Sequence, residues 1–313
     1  MSSAPALSRP VRFASALLSA QRQALLEDTD VVLLGESVGR MGGLRGESQG
    51  LLDEFGPSRV IDTPIAEGAT LGLAAGLAMA GKKVIVSLSG PDRLAGAWEV
   101  LRLELANLQS RTQGAFDSTV VIRVPAGRGM GGGRYLEAAP EGNLANVEGL
   151  RVLSPSNGQE ASSMLLQALQ VQGPTVIIES NTLWSTQSKP DGNGSPLAID
   201  VANIIATGED ITILAYGGTV GLARKLGERG EKEGFSAEIV DLRSLRPLDT
   251  NTIGKSVQNT GHILFLHESE AMIHRVFGAV IDTSFMYLEA PPASSQSQDL
   301  DELVERIWEI LET

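Results

Sequence analysis

At 313 residues the chain is long enough for two domains of ~150 residues each, and 42% apolar against 20% charged residues excludes an intrinsically disordered chain. Cysteine is absent, which excludes disulfides, thiolate catalysis and cysteine-based zinc sites. The net charge of −13 excludes the basic stripe that binds nucleic acid.

The N-terminal segment MSSAPALSRPVRFAS has no secretory hydrophobic region, and no apolar run reaches the ~18–20 residues of a membrane span. A cytoplasmic protein is the default expectation. Residues 11–27 place Phe13, Leu17, Leu18 and Leu25 near helical spacing, with Pro10 ahead of them. DVVLLG (30–35) and RVIDTP (59–64) are short buried-strand runs stopped by Gly35 and Pro64. The Gly- and Ala-rich segment 67–81 is too short to cross a bilayer and predicts a buried core helix, with Gly68, Gly72 and Gly76 permitting close backbone approach. Strands are predicted at 82–89, 118–125, 150–155 and 174–180, separated by helical stretches such as 94–108 and 158–171.

Residues 185–196, STQSKPDGNGSP, predict a linker. The alternation then restarts with strands at 210–216, 237–243 and 262–268 and helices at 219–233, 249–259 and 299–311. Near-continuous apolar strands alternating with helices predict two doubly wound α/β domains with mostly parallel sheets. Their expected extents are 1–184 and 201–313, joined by a linker at 185–200. Residues 1–184 hold 15 basic and 18 acidic side chains, whereas 185–313 hold 10 and 20. The excess is densest at Glu289, Asp299, Asp301, Glu302, Glu305, Glu309 and Glu312, against Arg306 alone. A solvated helix face accounts for such a run; a docking surface for a basic partner is the second reading.

Two glycine motifs lack the structural context that their chemistry needs. Gly35-Glu36-Ser37-Val38-Gly39 matches a nucleophile elbow, but RMGGLRGESQG follows it instead of a helix. Gly127-Arg128-Gly129-Met130-Gly131-Gly132 fits G-x-G-x-x-G, yet Pro140 and Gly142 interrupt the helix that a dinucleotide site requires. It reads better as a loop at the C-terminal end of a strand, where ligands meet open α/β sheets. His262, His267 and His274 have no metal-ligand spacing, so no metal is expected on this chain.

Three segments together carry a resemblance: LLGES (33–37), IDTPIAE (61–67) leading into the small-residue helix, and VDLRSLRPLD (240–249). From about residue 11 to 290 the chain resembles the β subunit of the E1 component of 2-oxo acid dehydrogenases, of the pyruvate, branched-chain and acetoin type. That group belongs to the wider transketolase-like thiamine diphosphate family. The resemblance implies a transketolase-like pyrimidine-binding domain followed by a transketolase C-terminal-like domain. It also implies that Glu67 is the acid that hydrogen-bonds N1′ of the cofactor's aminopyrimidine, promoting loss of the thiazolium C2 proton. Glu36 falls on a second acidic position of the pyrimidine pocket, and Ile65 on a backbone and packing contact beside the ring.

Two positions depart from the family pattern. Arg93 stands where an aromatic residue usually stacks on the pyrimidine, and a guanidinium can stack on a ring. Leu136 stands where the family usually has a histidine near the reacting carbon, and leucine cannot transfer a proton. The GDG motif that binds diphosphate and Mg²⁺ in this cofactor class has no counterpart. The resemblance therefore implies that a partner α subunit supplies those ligands, that β chains pair in an α2β2 assembly, and that a lipoyl E2 receives the acyl group. A specialised carboligase and a non-catalytic scaffold subunit stay open as alternatives.

Overall fold

The computed structural model describes residues 10–116, 118–131, 133, 137–188 and 196–313. The first half runs β1 (Val11–Arg12), α1 (Phe13–Glu27), β2 (Val31–Gly35), α2 (Leu51–Phe55), β3 (Val60–Asp62), α3 (Glu67–Met79) and β4 (Lys83–Ser87). It continues through α4 (Arg93–Glu99), a π-helical turn (Val100–Leu105), α5 (Leu108–Arg111), β5 (Val120–Ala126), α6 (Glu141–Ala145), β6 (Arg151–Leu153), α7 (Gly158–Ala168), β7 (Thr175–Ser180) and β8 (Gln187–Ser188). After it come β9 (Asn203–Ala206), β10 (Ile211–Ala215), α8 (Val220–Glu233), β11 (Ala237–Asp241), β12 (Ser244–Arg246) and α9 (Thr250–Thr260). The chain closes with β13 (Ile263–Leu266), α10 (Ala271–Ser284), β14 (Ala293–Ser295) and α11 (Leu300–Leu311).

The larger sheet has the order β12-β6-β7-β5-β4-β2-β3, and the smaller β14-β13-β10-β11-β9. Every strand of the larger sheet is parallel except β12, and in the smaller sheet only β9 is antiparallel. Because successive strand residues face opposite ways, β2 divides its side chains between two cores. Val31 and Leu33 join Phe13, Leu17, Val121, Leu165 and Ile177 under α1 and α7. Val32 and Leu34 join Leu71, Ala74, Leu101, Ile122 and Ile178 under α3 and the π turn. That second core runs on without a break through Leu245 of β12 into Ile253 of α9, Phe265 of β13 and Met272 of α10 in the chain's second half.

One ion pair is buried inside the first core. Arg123 of β5 meets Glu179 of β7 through two hydrogen bonds, Nε to Oε1 at 2.6 Å and NH2 to Oε2 at 3.0 Å. A third bond reaches Gln21 at 3.2 Å. The two halves are joined by Arg243, 2% exposed, whose Nε donates to Glu160 of α7 at 2.8 Å and whose NH1 donates to the carbonyls of Ala198 and Val201. In the same segment the Asp249 carboxylate accepts from the Thr252 amide at 3.0 Å and caps α9. The VDLRSLRPLD motif thus works as a joint.

Several expectations need correction. The helix expected at 94–108 is three pieces, α4, the π turn and α5. Segment 67–81 is not a buried core helix: Thr70, Leu71, Ala74 and Ala78 are buried, while Gly72, Leu73, Gly76 and Met79 face outward. A run of small and apolar residues cannot tell a helix covered on every side from one with a bare apolar face. Part of the expected linker is a strand, since β8 pairs with β1 in an antiparallel ribbon; residues 189–195 lie outside the described residues. Strand β12 lies in the chain's second half but completes the first sheet. Helix α10 was not expected from the sequence, although it packs against α9 and α6.

Candidate functional site

Strands β3, β2, β4 and β5 are neighbours, so the segments leaving their C-terminal ends emerge side by side. Such an edge is where open α/β sheets bind ligands. Glu36 leaves β2, Ile65 and Glu67 leave β3, Arg93 leaves β4, and the glycine loop starting at Gly127 leaves β5.

The edge is held by backbone amides. The Thr63 amide donates to the Gly35 carbonyl at 3.0 Å, and Asp62 accepts from the amides of Gly39 at 2.6 Å and Arg40 at 3.0 Å. Gly35 is required because a Cβ there would collide with the Ser87 carbonyl of the adjacent strand. Ser37 adopts φ +59°, a left-handed conformation uncommon for a residue with a side chain. No helix follows until α2, so the elbow motif carries no elbow. The 36–50 loop is pinned further on by Arg45, whose guanidinium lies 4.6 Å over the Trp184 ring and donates to Asn181 at 3.2 Å.

Glu67 is the first residue of α3, where the helix N-terminus favours an anion. Its side chain is 15% exposed, and Oε1 lies 3.7 Å from Arg93 Nε. The same Nε lies 3.2 Å from Asp92 Oδ2 but without hydrogen-bond geometry, so both Asp92 oxygens are buried and hydrogen-bond to nothing. Glu36 Oε2 is also buried without a partner. The structure therefore brings Glu67 and Arg93 into contact, with Glu36 on the adjacent strand end. Ile65 is 57% exposed. Among the described residues neither Glu36 nor Ile65 bonds to the Glu67–Arg93 pair. Leu136 lies outside the described residues.

A second acidic group sits where the two halves meet, and the sequence reading missed it. Glu141, at the start of α6, is fully buried, and burial followed by repulsion from Glu268 pushes its carboxyl from 4.5 to about 8. Burial also raises Glu268, which accepts from Ser180 at 3.4 Å. The Tyr216 hydroxyl accepts from the amides of Glu268 and Ser269 at 3.2 and 3.3 Å. Gly127 is needed beside them, because it has φ +79° and any Cβ would overlap the Glu268 carboxylate. The signal in the sequence is Glu268, a carboxylate just past the end of the apolar strand Ile263–Leu266.

An aminopyrimidine offers N–H donors together with a ring nitrogen that bonds an acid. The β2–β3–β4 edge supplies an orphaned acceptor oxygen on Glu36 and a reachable carboxylate on Glu67, so its acceptors fit that group.

A doubly wound sheet with carboxylates at neighbouring strand ends, followed by a smaller α/β sheet, makes a two-domain α/β protein with a ligand-binding edge. The transketolase pyrimidine binding domain family matches residues 9–186, and the transketolase C-terminal domain family matches residues 200–302. A pyruvate dehydrogenase E1 component subunit beta from Leifsonia xyli is 35% identical over 93% of this chain and 89% of its own length. A 2-oxoisovalerate dehydrogenase subunit beta from Bacillus subtilis is 32% identical over 89% and 86%. Among solved structures, a split-gene transketolase described as an inactive β4 tetramer aligns with TM-score 0.76 at 20% identity, over 97% of this chain and 99% of that one. The chain belongs to the E1 β-subunit family of 2-oxo acid dehydrogenases, within the transketolase-like proteins.

Proposed function

We propose that the chain is the β half of a cytoplasmic thiamine-diphosphate-dependent 2-oxo acid dehydrogenase E1, completed by an α subunit that holds the diphosphate and Mg²⁺. The observation that carries this reading is Glu67, a largely buried carboxylate at a helix start, with the orphaned Glu36 acceptor on the adjacent strand end. When bound, the cofactor supplies the carbon chemistry that releases CO2 from a 2-oxo acid and carries the acyl unit toward a lipoyl E2.

In this reading Glu67 would hold a proton at the ring nitrogen N1′, Glu36 would accept from the exocyclic amine, and Ile65 would supply a backbone and packing contact to the pyrimidine. Arg93 occupies Glu67 Oε1 in the free chain, so that contact has to open before Glu67 serves the ring. The same Nε is already 3.2 Å from Asp92 Oδ2, whose oxygens hydrogen-bond to nothing, so the guanidinium can stay on Asp92 as it leaves Glu67. Residues 1–184 and 201–313 act as the two domains. Self-pairing in an α2β2 assembly is supported by an apolar run on the second one: Phe285, Met286 and Tyr287 are 63, 85 and 54% exposed. The similarly folded transketolase chain is itself described as a tetramer of β chains.

The test is Glu67→Gln in the chain co-expressed with its α partner, read with an artificial electron acceptor that needs no lipoyl group. Glutamine keeps hydrogen-bonding capacity but cannot relay a proton, so the rate should fall ~10²–10⁴-fold with the assembly intact. Equal, nonzero rates for wild type and variant would remove Glu67 from the mechanism. A folded, paired wild type that turns over no 2-oxo acid would favour the scaffold role.

A further inference from the structure

On the opposite edge of the larger sheet, away from Glu67, lies a groove of about 330 Å³. It opens where Gly149–Arg151 enter β6 and Gln172–Pro174 enter β7. Because β12 runs antiparallel to β6, its end at Arg246 reaches the same edge. Arg275 of α10 completes the lining, with Gln109.

Three guanidiniums thus meet in one groove of a chain carrying −13 overall. Among the described residues no acidic side chain lines it. Arg151 is balanced, with Nε 3.0 Å from Asp200. Arg246 and Arg275 are not: each donates to a backbone carbonyl at 3.0 Å, Arg246 to Ala145 and Arg275 to Leu245. Neither has a carboxylate within ion-pair distance among the described residues. A guanidinium has five N–H donors, so one bond to a carbonyl leaves the rest of each fork unused. The two are close enough to repel, since burial and then the Arg246 charge push Arg275 below its ordinary value. At the rim, the Gln109 amide donates to Gln172 at 3.4 Å and sets two further polar groups there.

Half-buried like charges without a counterion are unfavourable, and paired forks match a tetrahedral oxyanion. We propose that this groove is a binding site for a small phosphate-bearing anion, gripped by Arg246 and Arg275 and bracing α10 against the β12 edge of the larger sheet. The site is separate from the Glu67 edge, and its test does not depend on the catalytic reading.

The test uses the full-length chain. Its Tm is followed as inorganic phosphate replaces chloride at constant ionic strength, and binding is measured by calorimetry at 20 °C on the folded protein. Expected are a saturable rise in Tm and a one-site isotherm, weakened at least tenfold in Arg275→Gln and partly retained in Arg275→Lys. A parallel arm with a phosphate monoester separates the sources: tighter binding than free phosphate assigns the remaining groove to an organic moiety. An equal Tm response to chloride and phosphate, or wild-type phosphate affinity in folded Arg275→Gln, would overturn the site.

Discussion

Arg93 illustrates how one side chain can set the readiness of a site. Its contact with Glu67 is 3.7 Å and its own side chain is 33% exposed, which places the pair among ion pairs worth ~0–1 kcal/mol. The same Nε also lies 3.2 Å from Asp92, whose side chain is 4% exposed, so Arg93→Met strands a buried carboxylate and should lower the chemical denaturation midpoint. It should also free Glu67, so thiamine diphosphate should bind the α-complemented enzyme several-fold more tightly by calorimetry. Weaker binding in the variant would mean that the guanidinium itself holds the ring. In the buried Arg123–Glu179 pair both side chains are sealed from water, at 1% and 0% exposure. Glu179→Leu strands a buried guanidinium and should cost ~3–5 kcal/mol in urea unfolding; a loss below 1 kcal/mol would show that water reaches Arg123.

Among the elements, α3 has the most direct consequence. The outward positions Gly72 and Gly76 have nothing within 4 Å of an added Cβ, so the isolated chain gains nothing from their smallness. Gly76→Ala should raise its stability by ~0.5–1 kcal/mol through helix propensity alone, measured by urea unfolding without the α chain. A destabilised variant would mean that the bare face is covered within this chain. The α/β alternation, most strand positions and the Glu67 helix start were legible in the sequence, because apolar runs and glycine stops report burial directly. The pairing of Arg93 with Glu67 was not, since a strand-end loop can present a guanidinium to a ring or to a carboxylate with equal ease. Nor was the Glu141–Glu268 pair, whose members lie far apart in sequence and meet only when both sheets dock. The short strands β9, β12 and β14 escaped because three or four residues carry too little pattern.

At the scale of the whole molecule, the junction acids make stability depend on pH. Glu141 is raised to about 8, so above the ordinary carboxylate range the folded chain keeps a proton that the unfolded chain has released. That contribution is full at acid pH and is lost as pH rises through 8. Glu141→Gln should flatten the decline in denaturation midpoint between pH 5 and 8, and parallel wild-type and variant curves would rule the group out. The acidic second half should dock a basic E2 segment with a salt-sensitive affinity, because exposed charges are screened over ~8–10 Å; surface plasmon resonance at two ionic strengths checks this. The position of β12 has a temporal consequence. A ribosome that has released residues 1–200 has made six of the seven strands of the larger sheet, and β6 still presents an unpaired edge. Such an edge invites pairing with another chain, so a nascent or truncated first half should be sticky until Ser244–Arg246 emerges and closes it.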